Sequence, residues 1–331
     1  MKTKHSIFFF LLLLSLYLGA ANAQVSNTRV DFSCPGQVVV TYDLVAGCPS
    51  EVDVALYYSP NNRNWVLAKT VSGDLLGQTT DTNKEIIWDN NADKVKFGKY
   101  FFKVEPLSPL FDAVNINGVC WAKTNLDVGG VFAANEYDYG ALYQWGRQAD
   151  GHESRMSEVH DGVVSGADLV AGQVATTSGA SGKFIKNNDW GTFYDWRTPQ
   201  DDKLWNSGDE VTPSKNTAAD PCPAGWRVPT HTELSKLTEI ANVTTAWTDD
   251  YNDSGITGRI VTDRVTNASI FLPSTGGRNI FGSLYGVGTG GVYWSSGTDT
   301  IYGGTSYFGN SYFVTGSDSR SNGFSIRCVS E

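Results

Sequence analysis

The stretch Cys222-Pro223-Ala224-Gly225-Trp226-Arg227-Val228-Pro229-Thr230-His231-Thr232-Glu233-Leu234 decides how this chain is read. Thr230, followed three residues later by Glu233, forms a capping box. The hydroxyl accepts from the Glu233 amide while the Glu233 carboxylate reaches back. Leu234, Leu237 and Ala241 then fall on one face at spacings of three and four. A helix packed against a sheet is expected here, with His231 a surface residue in its first turn. Helix signals are otherwise scarce beyond Pro109.

Downstream, the 39 residues from Phe281 to Ser319 hold ten Gly, seven Ser, five Thr and nine aromatics. They hold no Lys or Arg, and their only acids are Asp299 and Asp318. Tyr gives wide, stiff contact area at low entropic cost, and the small residues between let a surface adapt. The competing reading is a Gly-rich β-region whose aromatics are core. Alternate residues of a strand face opposite ways. In Tyr307-Phe308 and Tyr312-Phe313 the Tyr is therefore assigned to the surface and the Phe to the core, because a buried hydroxyl needs a partner.

Upstream, residues 1–23 read as a cleavable secretory signal: Lys2 and Lys4, an apolar run from Ile7 to Leu18, then Ala21 and Ala23 in an A-x-A pattern. No later run is apolar enough to span a bilayer. Loss of Lys2 and Lys4 takes the formal charge from −10 to −12. Such an acidic chain repels phosphate backbones, so nucleic acid is not an expected partner. The length points to two domains.

Residues 24–106 read as an all-β sandwich, with strands at Val38 to Leu44, Val52 to Tyr58, Trp65 to Lys69, Glu85 to Trp88 and Tyr100 to Glu105. Pro106-Leu107-Ser108-Pro109 reads as a stiff linker, placed at 107–109. Residues 110–331 then form the second domain, with its binding region at 280–320. In an exported protein the five Cys read first as disulfide partners. Cys34 with Cys48 and Cys222 with Cys328 are the expected pairs, which leaves Cys120 over or competing for Cys222.

Further blocks complete the pattern. They are Gly118-Val119-Cys120-Trp121-Ala122-Lys123-Thr124-Asn125-Leu126, Tyr139-Gly140-Ala141-Leu142-Tyr143-Gln144-Trp145, Leu272-Pro273-Ser274-Thr275-Gly276-Gly277-Arg278, Tyr293-Trp294-Ser295-Ser296 and Ser321-Asn322-Gly323-Phe324-Ser325-Ile326-Arg327-Cys328-Val329. With the Cys222 block, in this order, they resemble the Fibrobacter succinogenes major paralogous domain family. The first domain resembles immunoglobulin-like or fibronectin-like modules of exported proteins from gram-negative bacteria. The family resemblance implies a C-type-lectin-like, α+β domain with few helices and much irregular structure, related to formylglycine-generating enzymes. The expected fold is thus an all-β, Ig-like sandwich followed by that domain. The motif Trp are expected in the core, and Arg227 and Arg327 on carboxylates or loop carbonyls.

The resemblance also extends to variable proteins of diversity-generating retroelements. Their randomised codons do not yield Lys, Glu, Gln, Met or Trp. Of those five types, residues 281–319 contain only Trp294, which lies in a scaffold block. The expected ligand-binding residues are Tyr285, Gly286, Gly290, Val292, Tyr302, Thr305, Tyr307, Tyr312, Val314 and Asp318. The expected partner is a protein or glycan on another cell or surface.

No catalytic residues and no cofactor are expected. Cys328 lacks the nearby second Cys of sulfatase-modifying enzymes. His152-Glu153 and His160-Asp161 supply metal-ligand residue types without an established spacing. Calcium-dependent sugar binding is the runner-up within the lectin-like fold, but Glu-Pro-Asn and Gln-Pro-Asp are missing. Asp249, Asp250, Asn252 and Asp253 read as an acidic turn. A fimbria-like or coat subunit and a degenerate sulfatase-modifying domain are the alternative functions.

Overall fold

The computed structural model describes residues 24–32, 36–45, 48, 52–96, 98–107 and 113–331. The signal segment, Cys34 and most of the expected linker lie outside them.

In the first unit Val38, Val40, Tyr42 and Leu44 alternate inward along Val38–Val45, as a half-buried strand requires. They meet Val54 and Leu56 of the facing sheet, and Ile86 and Trp88 of a neighbouring strand, in one core. One sheet runs Gln24–Asp31, Val38–Val45, Asp81–Trp88, Val71–Gly73. The other runs Val66–Leu67, Val54–Ser59, Phe101–Pro106. Tyr58 stacks on the Trp88 ring at 4.5 Å, and the Trp88 indole N–H donates to Asp93 Oδ2 at 2.8 Å.

Cys48 does not pair with Cys34. Its sulfur is bonded to Cys120, across 72 residues, with the Cα atoms 5.3 Å apart. Cys120 faces away from its buried neighbours Val119 and Trp121, so alternation along Val119–Ala122 presents its thiol to Cys48. The other disulfide joins Cys222 to Cys328, as expected. Each closes a loop worth about 4–5 kcal/mol in chain entropy.

The second unit is built from short strands, long irregular connections and one short helix among the described residues. The helix, α1 (His231–Ser235), starts at the expected capping box: Thr230 Oγ1 accepts from the Glu233 amide at 3.1 Å, and Glu233 accepts from the Thr230 amide at 2.8 Å. Leu234 and Leu237 are buried, but Ala241 is exposed. Its place on the helical face is lost because α1 tightens into a 3₁₀ turn at Lys236–Thr238 and ends. His231 is half-buried rather than a free surface residue. Gly304 lacks a Cβ beneath it, and one there would meet His231 Nδ1 at 2.7 Å.

Indoles and guanidiniums knit the irregular backbone together. Trp196 donates to the Trp145 carbonyl at 2.6 Å, Trp145 to that of Ser295 at 2.8 Å, and Trp294 to that of Tyr143 at 2.7 Å. Each indole buries a large apolar area and satisfies one loop carbonyl. Arg327, 1% exposed, donates to the carbonyls of Ala122, Lys123 and Phe271 and to Asn125 Oδ1. Arg227 grips both oxygens of Glu233 at 2.7 and 2.6 Å.

Candidate functional site on the C-terminal sheet

Three antiparallel strands, Gly291–Asp299, Tyr302–Phe308 and Phe313–Asp318, form the last sheet, with Tyr302–Phe308 in the centre. Their register places Val292, Tyr307 and Val314 in one row across the sheet. Residues in such a row share a face. Tyr307 and Val314 are 41% and 40% exposed, and Val292 is half-buried against the core.

The opposite face carries Tyr293, Phe308 and Phe313 and packs into one core with Trp121, Leu234, Leu237 and Leu272. Phe308 is 1% exposed and meets the Phe313 ring edge-on at 5.5 Å. The Tyr members of Tyr307-Phe308 and Tyr312-Phe313 therefore lie outside and Phe308 lies inside, as strand alternation requires.

Tyr312 is 49% exposed and meets Tyr307 at 6.1 Å and 65°. Both rings lie over glycines. A Cβ on Gly316 would meet Tyr307 Cε1 at 2.9 Å, and one on Gly309 would meet Tyr312 Cε1 at 2.9 Å. The small residues thus let the rings lie close to the backbone. Arg259, 6% exposed, fixes the turn between them by donating to the carbonyls of Gly309 and Asn310 at 2.6 and 2.9 Å.

Tyr285 and Asp318 form a second group. The Tyr285 ring is exposed, but its hydroxyl turns inward, 3.0 Å from where a Gly277 Cβ would lie. Burial, with the Asp318 carboxyl nearby, pushes that hydroxyl up to about 12. Burial also raises the Asp318 carboxyl, against the pull of the Ser319 amide and the Asn322 side chain.

Gly286 is exposed beside Tyr285. Gly290 is a turn residue whose amide donates to the Gly286 carbonyl at 3.1 Å. Tyr302 is half-buried opposite Asp299. Thr305 does not belong to a ligand surface. It is 1% exposed, between the buried Trp294 and Gly316, over which the Tyr307 ring lies. Arg259 and Gly316 were not expected from sequence, since their roles depend on contacts far along the chain.

The metal-ligand types at 150–153 form a closed network. Asp150, His152 and Glu153 offer ligand atoms within 4.8 Å of one another. However, His152 Nε2 accepts from the Gln144 amide at 3.0 Å, and Nδ1 pairs with Asp150 at 2.7 Å. Neither ring nitrogen is left for an ion. Burial and the nearby Arg147 lower the His152 pKa, in keeping with an Nε2 that accepts the Gln144 amide. His160 pairs instead in a parallel strand with Ile185. In the acidic turn, Asp249 accepts from the Trp247 indole at 2.7 Å and Asp250 from the Gly255 amide at 2.6 Å.

Two concavities flank the domain. A cleft of roughly 420 Å³ is lined by Lys123, Glu136, Tyr137 and Tyr251, with Glu136 accepting the Tyr251 hydroxyl at 2.7 Å. A slot of roughly 360 Å³ lies between Glu210, His231 and the ends of the C-terminal sheet.

No curated protein and no solved structure matches the chain. The model of the Fibrobacter succinogenes major domain matches residues 114–330, a span containing α1, the buried Trp145, Trp226 and Trp294, and the C-terminal sheet. The chain belongs to the Fibrobacter succinogenes major domain family.

Proposed function

We propose that the chain is an exported ligand-binding protein of adhesin or receptor type, and that the Tyr307–Tyr312–Val314 face of its C-terminal, lectin-like domain is the recognition surface. The observation that carries this reading is the split within each aromatic pair. Tyr307 and Tyr312 stand exposed at 41% and 49%, while Phe308 beside the first is 1% exposed and Phe313 beside the second is half-buried. Exposing two phenols beside Val314, at the end of the sheet where Phe308 closes the other face, leaves a compact aromatic patch. A few such anchors usually dominate binding energy. Gly309 and Gly316 permit the rings' close approach to the backbone, and the buried Arg259 fixes the turn. The first domain serves as a spacer, tied to the second through Cys48–Cys120.

Two disulfides support an oxidising, extracytoplasmic location. The surface lies on side chains between scaffold blocks, a placement suited to retroelement-driven diversification. The reading is non-catalytic: Cys328 is 0% exposed and bonded to Cys222, so no free thiol is available there. A glycan and protein array probed with wild type and with a Tyr307→Ala/Tyr312→Ala variant tests it. Loss of specific signals in the folded variant is expected, and an unchanged pattern would remove the assignment.

A further inference from the structure

We propose that the outer edge of Phe313–Asp318 takes an added strand from a protein ligand, and that one basic side chain of this strand enters the slot between Glu210 and Asp299. The inference rests on the recognition reading above and narrows it to a polypeptide ligand.

Among the described residues, Phe313–Asp318 pairs with Tyr302–Phe308 alone. The Gly309 amide donates to the Tyr312 carbonyl at 3.1 Å, which sets the phase of the ladder. Bonded and non-bonded couples alternate in an antiparallel pair. Val314 and Gly316 therefore exchange bonds with Tyr307 and Thr305, and the backbone groups of Phe313, Thr315 and Ser317 point away from the sheet. Among the described residues, no bridge or backbone hydrogen bond from another element reaches that side. The strand, Phe-Val-Thr-Gly-Ser-Asp, has no Lys or Pro of the kind that blunts exposed edges. Such an edge is a template for strand addition.

The slot supplies the chemical preference. Thr315 and Ser317, two of the residues with outward backbone, line it together with Glu210, His231, Thr298 and Asp299. It contains two carboxylates and neither Lys nor Arg. Asp299 is exposed and accepts from Ser317 Oγ at 3.2 Å, while Glu210 accepts from the Thr232 amide at 2.8 Å. His231 Nδ1 is buried there without a hydrogen-bond partner. A strand paired with Thr315 and Ser317 places the side chains opposite them on this same face, beside the slot. Its alternate side chains fall beside Val314 on the aromatic face. Phe281 to Ser319 holds two acids and no Lys or Arg, so the complementary segment is extended, β-prone and basic.

Random peptides of about ten residues, long enough for one strand, are selected on the exported chain. The best binder is then made with N-methyl amides in either alternating register. One register is expected to lose about tenfold or more in affinity and the other to bind normally. Changing the peptide's basic residue to Glu should weaken binding severalfold, and Asp299→Asn should shrink that difference. Equal effects of both registers, failure to select any binder, or indifference to the charge change would each overturn the proposal. If the edge proposal fails while Tyr307→Ala/Tyr312→Ala still abolishes array binding, only the added strand is removed. If the array signals also survive the Tyr substitutions, the recognition surface itself is removed.

Discussion

Arg259 holds Gly309: its Nη2 donates to the Gly309 carbonyl at 2.6 Å, across 50 residues of sequence. A second bond reaches the Asn310 carbonyl, and Nη1 donates to Thr245 Oγ1. The turn that displays Tyr312 is thereby anchored to the strand Gly258–Asp263. Arg259→Met keeps much of the apolar stem and removes all three bonds. It should cost about 1–3 kcal/mol, with hydrogen exchange rising at residues 309–312 ahead of the rest of the sheet. Uniform exchange across the sheet would show that the turn is held by other contacts.

The two faces of the central strand should respond oppositely to truncation. Phe308→Ala opens a cavity in the core it shares with Trp121, Leu234 and Leu237 and should cost about 3–5 kcal/mol. Tyr307→Ala on the open face should change stability by less than about 1 kcal/mol. Urea denaturation of the two variants checks this, and similar losses in both would mean that Tyr307 is a packing residue.

Peptide mapping without reduction should recover Cys48 linked to Cys120 and Cys222 linked to Cys328. Cys120→Ser should then destabilise the chain by about 2–5 kcal/mol. A peptide linking Cys34 to Cys48 would contradict this connectivity.

Buried carboxyls shape the pH dependence. Burial pushes Asp220 up to about 7 and Asp195 up to about 6. Both lie above the unfolded value near 3.9. Their folded forms hold protons that the unfolded chain releases, so their stabilisation is complete below about pH 4 and is lost as pH rises to about 6–7. Asp150 acts the other way. Despite burial, His152 and Arg147 hold its carboxyl well below the usual range, so its contribution is lost as pH falls through the acid region. Melting temperature should peak in mild acid and decline toward pH 8, and Asp220→Asn should flatten the declining limb. Parallel curves for wild type and variant would rule out Asp220 as the source.

The capping box at Thr230 and Glu233 was legible because it depends on four consecutive residues. The outward Tyr307 and inward Phe308 were legible because a strand has a period of two. Ala241 was misplaced because nothing local signals that α1 tightens into a 3₁₀ turn. The Cys48–Cys120 bond depends on where the hairpin 113–122 docks, a long-range fact that Cys spacing does not encode. Thr305 fits the composition of a binding surface, yet its neighbours across the sheet are Trp294 and Gly316. Only the register reveals that its row is closed.

Isothermal titration of an array-identified ligand into wild type and into Tyr307→Ala/Tyr312→Ala, with melting followed in parallel, tests the recognition surface most directly. The expected result is an affinity loss of about a hundredfold or more with an almost unchanged melting temperature. Retained affinity in the folded double variant would contradict the assignment of the open tyrosine face as the binding surface.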